Sequence, residues 1–451
     1  MIEVSHTIMI TIHHHLLKFK CYPFYTDNSR LLSSHTTPMA AATPWEELLG
    51  SKNWDTLLDP LDQSLRQLIL RCGDFCQATY DAFVNDQNSK YCGASRYGKS
   101  SFFDKVMLEN ASDYQVTSFL YATARVSLPE GLLLRSQSRD SWDRESNWFG
   151  YIAVTSDERS KSLGRREIYV ALRGTSRNYE WINVLGARPT SADPLLTGPV
   201  QNGSGSKVVE TLSTHGSDSE DEEGCKVMLG WLTIYTSDHA ESKFTKMSLR
   251  LQLLTMIKEL LLKYKDEKPS IVLTGHSLGA TEAVLAAYDI AENASGDDVP
   301  VTGIVFGCPQ VGNKEFKDEV TRHKNLKILH VRNTIDLLTR YPGGLLGYVD
   351  IGTNFVIDTK KSPYLKDSRN PGDWHNLQAM LHVVAGWNGK KGEFKLMVKR
   401  SIALVNKSCE FLKDECLVPG SWWVEKNKGM IKDENGAWVI APVEEEPEPE
   451  F

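Results

Sequence analysis

Ile271-Val-Leu-Thr-Gly-His-Ser-Leu-Gly-Ala280 decides how this chain is read. Ile271 to Thr274 have strand character and Ala280 to Ile290 read as a helix, so Gly275-His276-Ser277-Leu278-Gly279 must join them. So tight a connection leaves no room for side chains two positions before and two after the serine, and Gly275 and Gly279 meet that demand. The serine is left above the carboxyl end of the strand, where a base can reach its hydroxyl. Five letters of this pattern recur by chance. The strand before it, the helix after it and both glycines in place make it a nucleophile elbow.

Working outward, Trp148 to Thr155, Arg166 to Leu172, Val301 to Gly307 and Leu326 to Arg332 read as buried strands. Ser248 to Tyr264 reads as an amphipathic helix with Leu253, Ile257, Leu260 and Leu261 on one face. Upstream, Asp59-Pro60 offers an N-cap and a first-turn proline, and Leu61, Leu65, Leu68, Ile69, Cys72, Cys76, Tyr80 and Phe83 fall on one stripe. Alternation of this kind predicts a doubly wound, mostly parallel central sheet flanked by helices, the α/β-hydrolase fold. One domain is expected over 44–442. It is preceded by a disordered extension (1–43, with Met39 a plausible true start) and followed by an acidic disordered tail (443–451). Residues 189–224, rich in Ser, Gly, Thr, Pro and acid, read as a mobile acidic insertion. Ser421-Trp-Trp-Val424 and Gly436-Ala-Trp-Val-Ile440 read as a terminal hairpin, with Trp422, Trp423 and Trp438 packed on the body.

The chain has 451 residues, 41% hydrophobic and 24% charged, with a formal charge of −7. Asp218, Glu220, Asp221, Glu222 and Glu223 form one acidic cluster, and Glu444, Glu445, Glu446, Glu448 and Glu450 another. Without those ten, 51 basic residues face the 48 acids that remain of 58, and the body is close to neutral. No nucleic-acid footprint is present. Eight scattered cysteines show no zinc spacing and read as reduced, mostly buried thiols of a cytoplasmic protein. No apolar run is long enough to span a bilayer, and the N-terminus lacks a secretory signal. No cofactor or metal is expected.

A serine hydroxyl at its ordinary pKa is a poor nucleophile; it needs a base, and the base an acid. In this fold the order is serine, acid, histidine, so both partners follow position 277. Asp336, in the turn-like exit Asn333-Thr-Ile-Asp336 from a strand, is the leading acid; Asp350 is its rival. Among the histidines, His276 belongs to the turn and reads as structural, His330 as core and His323 as solvated. His375 sits on a loop after Pro371-Gly-Asp-Trp374 and leads as base, ahead of His382, two turns down the following helix. The oxyanion of an acyl-transfer intermediate needs two donors. The backbone N–H of Leu278 is one candidate and Thr175, after Arg173-Gly174, the other.

Long segments extend the match. Leu70-Arg-Cys-Gly-Asp-Phe-Cys-Gln-Ala-Thr-Tyr-Asp-Ala-Phe83, Tyr91-Cys-Gly-Ala-Ser-Arg-Tyr97, Ser146-Asn-Trp-Phe-Gly-Tyr-Ile152 and Glu167-Ile-Tyr-Val-Ala-Leu-Arg-Gly-Thr175 resemble the class 3 lipase superfamily. Together with Leu404-Val-Asn-Lys-Ser-Cys409 and Ser421-Trp-Trp-Val-Glu-Lys-Asn427 they resemble, within it, the plant class II phospholipase A1 acylhydrolases, over about Trp45 to Pro442. The resemblance implies metal-free hydrolysis of the sn-1 ester of glycerolipids at membrane or micelle surfaces. It implies the triad Ser277, Asp336 and His375, and a lid over Ser176–Asn183 in which Trp181 makes the apolar contact. One departure stands out: the family often carries Val-Pro soon after the acid, where this chain has Leu338-Thr339. Two other functions fit a lipase-like chain, an inert signalling scaffold and a soluble carboxylesterase for small esters. The intact serine, acid and histidine set speaks against the first.

Overall fold

The computed structural model describes residues 43–124, 133–175, 187–197, 224–423, 430–432, 434 and 438–440. Seven strands form the main sheet: β1 (Tyr114–Ala122), β2 (Asn147–Thr155), β3 (Arg166–Leu172), β6 (Pro269–His276), β7 (Val301–Phe306), β8 (Leu326–Asn333) and β9 (Thr353–Ile357). Pairing runs in the order β1-β2-β3-β6-β7-β8-β9. The first two pairings are antiparallel and the remaining four parallel. The central strands are buried on both faces, which is why they read as continuous apolar runs rather than alternating ones.

Alternation still sorts side chains between the faces. Val272 joins one core, with the helices Gln63–Asp81 and Leu377–Gly386; Ile271 and Leu273 join the other, under Leu229–Thr236, Leu249–Lys263 and Leu278–Asn293. The chain therefore has the three layers of the α/β-hydrolase fold. Its winding differs from the doubly wound expectation. From β3 onward the strands lie in sequence order with no reversal, and the helices linking β6 to β7 and β7 to β8 (Leu278–Asn293 and Lys314–Arg322) both pack in the same core. The opposite face is closed by helices from the two ends of the domain.

Three local readings are corrected. The helix expected from Asp59-Pro60 begins at Gln63. Asp62 is the cap because its carboxylate accepts from the N–H groups of Ser64 and Leu65, and Asp59-Pro60 forms a turn with a cis peptide. Residues 189–197, taken as the start of the insertion, hold strand β4 (Pro189–Ser191), paired with β5 (Lys226–Met228), and a helical turn that buries Leu195. Residues 198–223 lie outside the described residues, as do 1–42 and 441–451. The terminal hairpin pairs β10 (Met430–Lys432) with β11 (Trp438–Ile440). Trp422 and Trp423 instead bond back to the body, through Ala403 O at 2.7 Å and Lys407 O at 3.0 Å.

Candidate active site

Ser277 has φ 59° and ψ −126°, a left-handed conformation that a non-glycine residue adopts only when its surroundings impose it. A Cβ at Gly275 would lie 2.1 Å from Gly279 O, and one at Gly279 would lie 2.2 Å from Leu172 O. The two glycines thus let the start of the helix sit against both its own strand and the end of β3. Leu278 is the first helical residue, and its N–H is among the first four that no intrahelical carbonyl accepts.

Asp336 and His375 converge on this edge from different loops. Asp336 follows β8 and His375 caps the short helix Pro371–Trp374. His375 Nδ1 and Asp336 Oδ2 are 2.6 Å apart, with both side chains buried. The second carboxylate oxygen of Asp336 accepts from Leu338 N–H at 3.0 Å, and the Thr339 hydroxyl donates to Asp336 O at 2.9 Å. Leu338-Thr339, the departure from the family pattern, holds the acid from two sides. Asn333, the last residue of β8, donates to Trp374 O at 2.8 Å and so ties the acid loop to the base loop.

The rival residues are occupied elsewhere. Asp350 receives Arg332 Nη1 at 2.7 Å and Gln310 Nε2 at 3.2 Å. His330 accepts Cys308 N–H at 2.9 Å, and burial pulls its pKa down to about 3. His382 lies 2.7 Å from Ser362 Oγ and is pulled down to about 4, again chiefly by burial. His323 is largely covered and sits 2.9 Å from Glu292 rather than in solvent.

His276, read as part of the turn, makes contacts that reach His375. Nε2 lies 2.7 Å from His375 O, and Nδ1 lies 2.8 Å from the Tyr80 hydroxyl. A carbonyl only accepts, so Nε2 carries the proton and Nδ1 accepts from Tyr80. Burial first, then the neighbouring His375, hold His276 well below its ordinary pKa, which keeps that one neutral tautomer in place. The two imidazole rings are 4.5 Å apart. Tyr80 was legible only as one apolar position of a helical stripe, because its partner is 196 residues away.

Thr175 enters from the end of β3. A Cβ at Gly174 would lie 2.1 Å from the Tyr80 hydroxyl and 2.4 Å from His276 O, so only glycine lets this segment approach the elbow. Arg173 beside it is fully buried, donates to Gly174 O at 2.7 Å and stands 3.7 Å over the Phe83 ring. Burial lowers its pKa to about 10. The lid segment with Trp181 lies outside the described residues. Among the described residues no group of three or more His, Cys, Asp or Glu side chains is placed to hold a metal ion.

The class 3 lipase family model matches residues 169–345. Phospholipase A1-IIdelta of Arabidopsis thaliana is 90% identical over 409 residues, covering 91% of this chain and 99% of its own. Phospholipase A1-II 5 of Oryza sativa subsp. indica is 48% identical over 421 residues, covering 92% and 86%. Among solved structures, the Lip2 lipase of Yarrowia lipolytica is 17% identical with a TM-score of 0.40, covering 66% of this chain and 81% of its own. With strand, elbow and partners disposed as described, the chain belongs to the plant class II phospholipase A1 family and carries its class 3 lipase domain.

Proposed function

We propose that this chain hydrolyses the sn-1 acyl ester of glycerolipids, chiefly phospholipids, through an acyl-enzyme on Ser277. The observation that carries the reading is the buried 2.6 Å contact between His375 and Asp336 on the edge where Ser277 is held at positive φ. Asp336 fixes the proton on Nδ1, leaving Nε2 as the base. His375 takes the Ser277 proton as Oγ attacks the ester carbonyl, and the N–H of Leu278 and Thr175 receive the oxyanion. Collapse breaks the bond to the glycerol oxygen, which leaves with the proton from His375 as the lysolipid alcohol. Water then gives its proton to His375 and attacks the acyl-enzyme, and collapse returns that proton to Ser277 Oγ as the fatty acid leaves.

Trp181 is assigned to the lid, and the described domain to one unit with 44–442. The cytoplasm is the proposed compartment. It is supported by cysteines 72, 76, 225, 308, 409 and 416, free thiols among the described residues; burial pushes Cys72, Cys225 and Cys409 up to about 12 and holds Cys76 and Cys308 well above the ordinary range. Among the described residues no helix is long and apolar enough to cross a membrane; the substrate of this reading is a glycerolipid at a membrane or micelle surface. The test is phosphatidylcholine with distinguishable acyl chains, given to the wild type and to Ser277→Ala. Release from sn-1 by the wild type alone is expected; release by neither, on phospholipid or galactolipid, overturns the reading in favour of the inert scaffold.

A further inference from the structure

The loop that leaves the triad acid carries apolar side chains that the fold does not cover. Leu337 is 62% exposed, Leu345 105% and Leu346 53%. Single exposed leucines are ordinary on protein surfaces. Here three fall within ten residues, while among the other large exposed hydrophobics of the described residues (Met107, Leu251, Leu262, Met397, Leu417 and Trp422) no three lie so close in sequence.

The backbone under these leucines is fixed. Tyr341 O accepts Gln310 N–H at 2.7 Å, Gly343 N–H donates to the Gln310 side chain at 3.0 Å, and Val349 N–H donates to Gly312 O at 3.0 Å. Between those ties Gly343 and Gly347 have φ of 109° and 82°, which lets the chain reverse through Gly344–Leu346. The tip projects into open space: beyond each glycine's own chain neighbours no atom lies within 4 Å of a Cβ built on Gly344 or Gly347, and Leu345 between them is fully exposed. Exposed Arg340 stands at its base.

The loop stands at the carboxyl end of β8 and is tied to the segment following β7, so it belongs to the same edge as Ser277, Asp336 and His375. A lipid ester reaches Ser277 from that edge, which must therefore meet the bilayer. A projecting apolar tip suits a fluid acyl layer, whereas a protein partner would have to present a matching cavity. The arginine beneath it suits lipid phosphates. Resting on the acylhydrolase reading, we propose that Leu337, Leu345 and Leu346 form a rigid docking tip that inserts into the lipid surface and seats the active-site edge on it.

The test separates docking from chemistry. Full-length Ser277→Ala protein, with and without Leu345→Ser/Leu346→Ser, is sedimented with phosphatidylcholine vesicles, plain or containing phosphatidylglycerol. Transfer of one leucine is worth on the order of tenfold to a hundredfold in partitioning, so the double change should lower vesicle binding at least tenfold. Leu345→Phe/Leu346→Phe should retain it. With Ser277 intact, the serine variant should cleave monomeric para-nitrophenyl butyrate at the wild-type rate and vesicle lipid at least tenfold more slowly. Unchanged vesicle binding overturns the proposal. So does an equal loss on the soluble ester, which would make the leucines part of the reaction site. A wild type that cleaves neither ester defeats the acylhydrolase reading instead, and the sedimentation arm still decides docking.

Discussion

Two regions of the carboxyl edge, a few residues apart in sequence, are built on opposite terms. Beneath Ser277 lies a largely buried polar cluster: Tyr80 to His276, His276 to His375, His375 to Asp336, and Asp336 to Leu338 and Thr339, at distances from 2.6 to 3.0 Å. At the rim stand bare leucines on a fixed loop. The register alternates within consecutive residues: Asp336 is 2% exposed, Leu337 62% and Leu338 7%. The difference teaches what each task costs. Proton transfer needs groups held in one tautomer and one geometry, and burial strengthens every such contact. Capture of a lipid surface needs apolar area left uncovered in water. One loop serves both by turning alternate side chains in and out.

The largest effect expected from this contrast is loss of chemistry that is blind to the form of the substrate. Ser277→Ala should lower kcat by about 10⁴-fold or more, and Asp336→Asn by about 10⁴-fold, since the amide favours the wrong tautomer of His375. Both losses should be equal on a soluble monomeric ester and on vesicles, measured by initial rates. A loss by Asp336→Asn confined to vesicles would put the acid in the rim and break the comparison.

Next comes the brace. His276→Ala removes the hydrogen bonds that His276 makes with the Tyr80 hydroxyl and with His375 O, at a cost of about 2–4 kcal/mol in unfolding free energy. It also lets the base shift, and small displacements of this kind lower kcat by about a hundredfold with KM little changed. In a double-mutant cycle with Tyr80→Phe, urea unfolding and kcat should both be non-additive. Additive effects would show that Tyr80 and His276 act separately, and the cluster would divide into two independent contacts.

The brace also bounds what sequence could show. The elbow, its two glycines and the alternation of helices and strands were legible because short-range geometry demands them. Asp336 and His375 were reachable by order and loop position as candidate partners of Ser277, yet Asp350 stayed open. Its occupation by Arg332 and Gln310 depends on how β8 and the segment after β7 come together, which no local pattern encodes. The cap at Asp62 was misplaced for a related reason: an Asp-Pro pair and an Asp three residues later look alike until the hydrogen bonds are seen. Tyr80 showed only as a position of an apolar stripe and Thr339 only as a departure from the family pattern; what their hydroxyls do was hidden, because their partners are set by the fold. The exposed rim was invisible because leucine reads as core wherever it stands.

Acid is expected to act on stability rather than on chemistry. His276, His330 and His382 are neutral in the fold, with His330 near 3 and His382 near 4, whereas each would titrate near 6.5 in the unfolded chain. Between those values the unfolded state binds more protons. The stability they contribute is therefore complete above about pH 6.5 and is lost as pH falls toward the folded values, by about 1.4 kcal/mol per pH unit for each imidazole. Urea midpoints from pH 7 to 5 should fall steeply, and less steeply in His382→Gln. A flat profile would mean that these imidazoles titrate in the fold as they do in the unfolded chain, and that burial does not hold them neutral.

The smallest effect tests why this chain departs from its family's pattern after the acid. Thr339 is fully buried and spends its hydroxyl on Asp336 O at 2.9 Å, where the family often has a proline that fixes the backbone by its ring. A hydrogen bond here substitutes for a covalent constraint. Thr339→Val keeps the shape and removes the bond, so it should cost about 1 kcal/mol in urea unfolding at unchanged m, with kcat lowered a few-fold on soluble and vesicle substrates alike. A fall on vesicles alone would assign the residue to the presentation of Leu337 and Leu345 rather than to Asp336. The boundary between the buried cluster and the rim would then run on the inner side of Thr339.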